Sequence, residues 1–83
     1  MYRLRVKTVR EGLHPTEVVI AIDTDRGLVN LVIDKESLIE ELIDVGYPVA
    51  KRKGQTLVEL PRETTSGQWR VWVSDDTVKE VAV

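Results

Sequence analysis

Arg70 and Trp72 are the side chains in this sequence best suited to binding a partner. Both lie in the segment 68–73, whose alternating pattern is typical of a strand with two different faces. Trp69 shares one face with two valines, and we predict it to be the aromatic anchor of the core. Arg70 and Trp72 fall on the opposite face, and Trp and Arg are the residue types most enriched at binding hot spots. The alternative is that a second layer of the fold covers Trp72.

Two short basic segments hold six of the twelve Lys and Arg residues. One is a stripe on one face of a predicted N-terminal strand, and the other is the tip of a predicted hairpin. If they converge, they form a local patch for an anion or a nucleic acid, although the net charge of −2 weighs against nucleic acid as the main partner. The stripe consists of Arg3, Arg5 and Lys7, and the tip consists of Lys51, Arg52 and Lys53.

The residue inventory for catalysis is thin. The chain has one histidine, His14, and no cysteine, so thiolate chemistry is excluded and a zinc site is unsupported. The acidic turn at 23–27 lacks the ligand spacing of a calcium loop. The acidic pairs at 40–41 and 75–76 are adjacent residues, whose side chains diverge by about 100° on a helix. We therefore predict a protein with no enzymatic activity, no metal and no cofactor.

The composition favours β-structure. Fourteen Val, five Ile and seven Thr stand against three Ala, and β-branched residues suit strands better than helices. Alternation and turn residues predict an N-terminal strand over 2–9, hairpins over 16–33 and 47–60, and a last clear strand over 68–73.

One segment departs from the strand pattern. Four apolar residues between positions 35 and 45 recur at helical spacing, with acidic residues between them. Asp34 is placed to cap the first turn, and Gly46 is placed to end the helix with a positive φ. The four apolar residues are Leu38, Ile39, Leu42 and Ile43. We predict one α-helix over 35–45.

These elements predict an α+β fold that is mainly β. The expected architecture is a small partly closed barrel, or a strongly bent antiparallel sheet, of five to six strands with one α-helix. The 83 residues are expected to form a single domain, 1–83, with no internal repeat.

The function predicted from these features is a small non-catalytic module that binds an unidentified protein partner through Arg70 and Trp72. Nucleic-acid binding through the two basic segments is the alternative hypothesis, and a steep salt dependence would distinguish it. Strands at both chain ends predict an exposed sheet edge and, through it, a homodimer. The longest apolar run, 18–22, is too short to span a bilayer, and the start has no signal-type apolar stretch. We therefore expect a cytoplasmic protein without a membrane partner.

Overall fold

A computed structural model describes residues 1–82, which form nine short β-strands and two 3-10 helices. The first five strands are β1 (Tyr2–Arg5), β2 (Lys7–Glu11), β3 (Glu17–Thr24), β4 (Gly27–Asp34) and β5 (Leu42–Val45). The last four are β6 (Ala50–Arg52), β7 (Gln55–Glu59), β8 (Arg70–Ser74) and β9 (Val78–Glu80). The 3-10 helices cover Lys35–Ser37 and Asp75–Thr77.

The strands form three antiparallel sheets of three strands each, in the orders β5-β1-β9, β2-β3-β4 and β6-β7-β8. The second and third sheets are meanders that contain the two predicted hairpins. The predicted mixed fold of five to six strands and one α-helix is wrong. The described residues are almost entirely β, without an α-helix and without barrel closure.

The segment predicted to be an α-helix is a 3-10 helix over Lys35–Ser37 followed by a tight hairpin. Ile39 and Leu42 exchange both backbone hydrogen bonds, at 3.0 and 2.9 Å, across the two-residue turn Glu40-Glu41. Both glutamates have positive φ, 53° and 64°. A two-residue turn with positive φ at both positions suits the twist of flanking strands. Gly46 is not a helix cap, since it has no positive φ and its N–H faces the Glu59 carbonyl at 3.4 Å.

The core is made of aliphatic side chains from alternate strand positions. Burying each such side chain contributes about 1.5–3 kcal/mol relative to leaving it exposed. Neither Trp belongs to this cluster. Its members are Leu4, Val6, Val18, Ile20, Ile22, Leu31, Ile33, Ile43, Val58, Leu60, Val71 and Val73.

The fold repeats itself after 40 residues, contrary to the prediction of no internal repeat. Strands β1 and β5 begin at positions 2 and 42, and the 3-10 helices begin at 35 and 75. The residues that precede the helices, Asp34 and Ser74, have nearly equal dihedrals, φ −68° and ψ 140° against φ −65° and ψ 138°. Each half also contributes one meander. We call residues 1–40 the first unit and residues 41–80 the second unit.

The two units meet with the reciprocity of a two-fold axis. In the β1–β5 pairing, Tyr2 lies opposite Val45 and Arg5 lies opposite Leu42. Positions 2 and 42 are equivalent in the repeat, and so are positions 5 and 45, so each of these pairs is the counterpart of the other. This reciprocity is the pattern of an isologous interface. Strand β1 lies in the middle of its sheet, between β5 and β9, while β9 lies at an edge of that sheet.

Candidate functional site

A groove of about 320 Å³ lies over the outer face of the third sheet. The turn between β3 and β4 forms one wall, and strands β6 to β8 form the floor with part of the loop that precedes β8. We call it the Trp72 groove. Its lining residues are Thr24, Asp25, Arg26, Arg52, Leu57, Gln68, Arg70, Val71 and Trp72.

Trp72 is half-buried, and a single side chain covers one face of its ring. The guanidinium carbon of Arg52 lies 4.1 Å from the ring centre, within the range of a cation–π contact. Arg52 also donates from Nη2 to Asp25 Oδ2 at 2.9 Å and from Nε to Gln55 Oε1 at 2.6 Å. These contacts hold the guanidinium in one place, although the side chain of Arg52 is 47% exposed.

The β3–β4 turn is attached to the groove by its own backbone. The Asp25 N–H donates to the Trp72 carbonyl at 3.0 Å. Thr24 Oγ1 accepts the Arg26 N–H at 3.2 Å and donates to the Gly27 carbonyl at 2.7 Å, while Gly27 takes a φ of 99°. The turn chemistry predicted at 23–27 therefore places Asp25 and Arg26 at the rim of the groove.

Arg70 stands beside Trp72 on β8 and is paired with Glu59 on β7. Its Nε and Nη2 each lie 3.0 Å from Glu59 Oε2, and the two residues are opposite in the strand register. Both side chains are about half-exposed, so the ion pair contributes about 0–1 kcal/mol to stability. Arg26, by contrast, has no ion pair with any residue in the described part of the chain.

The prediction that Trp69 anchors the core is wrong, because its side chain is 54% exposed. The chain bends at Trp69, so the alternation of β8 does not extend back to it. Its carbonyl accepts the Leu60 N–H at 2.8 Å, which fixes the backbone at the bend and leaves the indole outside the core.

The two predicted basic segments are not brought together by any contact or cavity of residues 1–82. Arg3 and Arg5 lie on β1, Lys7 begins β2, and the tip lies between β6 and β7 in the third sheet. Within the stripe, Arg3 Nε is paired with Asp44 Oδ1 at 3.0 Å.

Within the tip, Arg52 belongs to the Trp72 groove. Lys51 lines a different cavity, which it shares with Tyr2 and the acids Asp75 and Glu80. Lys53 is exposed at the turn. Within residues 1–82, no cavity contains cations from both the stripe and the tip.

The internal repeat provides a comparison for the Trp72 groove within the molecule itself. In each meander the second and third strands share two buried pairs, of which one is Ile20–Leu31 in the first unit and Val58–Val71 in the second. Leu31 and Val71 are 40 positions apart and equivalent in the repeat, while their partners Ile20 and Val58 are 38 positions apart. These two pairs therefore align the outer positions of the two sheets.

The face opposite the core differs between the two units in chemistry and in burial, because Val19 and Ala21 of the first unit are buried whereas Leu57 and Trp72 of the second are only half-buried. Next to the buried pair, the first unit has Val19 opposite Val32, where the second has Leu57 opposite Trp72. The fold is therefore compatible with a small aliphatic side chain at the position of Trp72.

The neighbouring positions differ in the same way. The first unit has Ala21 opposite Asn30, where the second has Glu59 opposite Arg70. Gly12 stands in the first unit 40 positions before Arg52. Arg52, Arg70 and the indole of Trp72 are thus features of the second unit alone, whereas Arg26 belongs to the first unit.

Asp25, Arg26 and Leu57 are groove residues that sequence patterns did not assign to a site. The turn that holds Asp25 and Arg26 was predicted, but local patterns do not show that it lies against a strand from the other half of the chain. The 40-residue repeat is the signal that could have placed the first unit beside the second.

No family model, no curated protein and no solved structure matches this chain. Within residues 1–82, no helical segment has the length and apolar character needed to cross a bilayer. In the same range, histidine and acidic side chains form no cluster of three or more suited to a metal ion.

Proposed function

We propose that the protein is a non-catalytic protein-binding module whose contact surface is the Trp72 groove. The observation that carries this proposal is the difference between the two units. Trp72 and Arg70 occupy places where the same fold in the first unit has Val32 and Asn30. Side chains that the architecture does not require, grouped at one groove, favour a role in binding.

The composition of the groove supports a protein as partner. A half-buried Trp beside the apolar Leu57, with arginines at the rim, matches the residue types that dominate binding energy at protein interfaces. The groove is open and near the small end of the range for small-molecule pockets, about 300–1,000 Å³. It is therefore better suited to one or two side chains of a partner than to an enclosed small ligand.

The test is selection of binding peptides from a random displayed library, followed by mapping of the bound surface from amide chemical shifts. We expect the shifts to lie on β6–β8 and on the β3–β4 turn. Trp72→Ala should weaken binding by about 2 kcal/mol or more, roughly thirtyfold in Kd. The variant Trp72→Phe keeps an aromatic ring on the sheet. It therefore distinguishes a loss of contact with the partner from a loss of folding.

Tyr47→Ala is the matched control, because Tyr47 is 79% exposed and does not line the groove. It should leave the affinity unchanged. Binders that map to another face, or an equal loss with Tyr47→Ala, would contradict the proposal. If the chain instead captures nucleic acid that moderate salt releases, the nucleic-acid hypothesis replaces it.

A further inference from the structure

We infer that the partner of the Trp72 groove is an acidic peptide segment with an apolar residue next to its carboxylates. This inference rests on the proposed function and adds the chemistry of the ligand. Three guanidinium groups line the groove, on Arg26, Arg52 and Arg70. Against them stand the carboxylate of Asp25 in the lining and that of Glu59, which is paired with Arg70, so one positive charge is left in excess. A local positive excess on a chain with a net charge of −2 favours a partner segment of opposite sign.

The arginines have hydrogen-bond donors left for a ligand. Arg52 and Arg70 both use Nε and Nη2 for their internal partners, Asp25, Gln55 and Glu59. The Nη1 groups of both have no hydrogen-bond partner among residues 1–82, and neither does any side-chain nitrogen of Arg26. A planar fork of N–H donors suits carboxylates, which accept two parallel hydrogen bonds.

Leu57 and Trp72 form the surface that would contact the apolar residue of the ligand. They lie opposite each other on β7 and β8, and both are half-buried, so part of each remains available for contact. An aliphatic or aromatic side chain of the partner can cover the exposed parts of Leu57 and Trp72. This contact removes apolar surface from water. The carboxylates on either side of that side chain then reach the guanidinium groups at the rim.

The same geometry disfavours a nucleic acid in the groove. Bases bind single-strand platforms by stacking on a free aromatic face, and Arg52 already covers one face of Trp72 at 4.1 Å. A phosphate backbone also requires a row of cations, but the stripe of Arg3, Arg5 and Lys7 lies on other sheets. The groove carries a compact cluster of arginines instead of an extended row of cations.

The experiment titrates the full chain with two synthetic peptides of equal length. One alternates Asp and Glu with Leu, and the other has Asn and Gln in place of the acids. We expect the acidic peptide to shift the amides of the Trp72 groove and to bind at least tenfold more tightly than its amide counterpart. Raising the salt concentration should reduce this difference.

Arg26→Ala is the decisive variant, because the Arg26 side chain has no internal ion pair to lose. It should weaken binding of the acidic peptide about tenfold or more and leave the affinity for the amide peptide unchanged. Arg10→Ala removes an exposed cation outside the groove and should change neither affinity. The same titration is repeated with Trp72→Phe. Because Trp72 lines the groove, this change should alter the affinity for the acidic peptide if the groove is the site.

The outcomes separate this inference from the proposed function. Library-selected peptides that bind the groove without acidic residues would overturn the inference and leave the proposed function intact. If no peptide, selected or synthetic, binds the groove, both are wrong. An oligonucleotide that binds the groove more tightly than the acidic peptide would also overturn the inference.

Discussion

Arg52 and Trp72 are in contact across an intervening strand. Arg52 ends β6, Trp72 lies on β8, and the two side chains meet over β7 with 4.1 Å between the guanidinium carbon and the ring centre. Cation–π contacts of this kind contribute about 0.5–1 kcal/mol at exposed sites. The pair therefore joins the two edge strands of the third sheet and fixes the shape of the groove between them.

The two tryptophans should contribute differently to stability. We expect Trp72→Ala to lower the free energy of unfolding by about 1–2 kcal/mol, because it removes a half-buried indole and its contact with Arg52. Trp69→Ala should cost under ~1 kcal/mol, since Trp69 is 54% exposed. Urea denaturation of both variants measures the difference. A larger loss for Trp69→Ala would restore the idea that Trp69 anchors the core.

Substitutions in the turn at Glu40 and Glu41 should raise the stability of the protein. Both residues have positive φ, which costs side chains other than glycine about 1–2 kcal/mol each. Glu40→Asn combined with Glu41→Gly should therefore stabilise the protein by about 1–2 kcal/mol, as measured by thermal and urea denaturation. The control is Glu40→Gln with Glu41→Gln, which removes the charges and keeps the strain. An equal gain in the control would assign the effect to charge repulsion.

Thr64 should be important for the loop that leads to β8. It is 4% exposed, its Oγ1 accepts the Gln68 N–H at 3.0 Å, and it donates to Gln68 Oε1 at 3.0 Å. Thr64→Val leaves the Gln68 N–H without its acceptor and removes one of the two donors to Gln68 Oε1, the other being Ser66 Oγ at 2.8 Å. This variant should cost about 1–3 kcal/mol. Gln68 lines the Trp72 groove, so hydrogen exchange at its amide should also accelerate. Thr65→Val, at an exposed neighbour, should change neither quantity.

Stability should fall at alkaline pH because of Tyr2. Partial burial raises the pKa of its hydroxyl above the ordinary 10.0, and the Glu80 carboxylate opposite it raises the pKa further. The folded chain therefore binds this proton more tightly than the unfolded chain does. The stabilisation is complete below pH 10 and is lost as the pH rises through the folded pKa.

Urea denaturation at several pH values from 8 to above 10 measures this decline. Tyr2→Phe should remove the contribution, and Glu80→Gln should reduce it. A decline of the same size in Tyr2→Phe would assign the alkaline loss to other groups.

Sequence patterns placed the two hairpins but not β5 or β9, and they merged β1 and β2, which belong to different sheets, into one strand. Alternation placed the hairpins and the outward direction of Arg70 and Trp72. The pairs at 38–39 and 42–43 suited a helix, yet the same spacing suits two strand ends on either side of a two-residue turn. The turn is unusual because glutamates, rather than Asn and Gly, take the positive φ values.

The groove could be predicted only in part, because it is assembled from both units. Arg52 and Trp72 lie 20 positions apart on strands of one sheet, and the sequence showed a basic tip and an aromatic without showing their contact. Asp25 reaches them from the other half of the chain. The repeat escaped detection since its two copies share residue classes, such as Leu31 with Val71, more than identities.

The hydrogen bond from the Val81 N–H to the Met1 carbonyl, at 2.8 Å, makes the chain nearly a closed ring. In a two-fold arrangement, the step from position 80 back to position 1 is the counterpart of the covalent step from 40 to 41. Residues 1 and 81 therefore lie side by side, as residues 39 and 42 do across the Glu40-Glu41 turn. A circular permutant that begins at Glu41 and continues from residue 82 through a short linker into Met1 would keep all nine strands and the groove between the units.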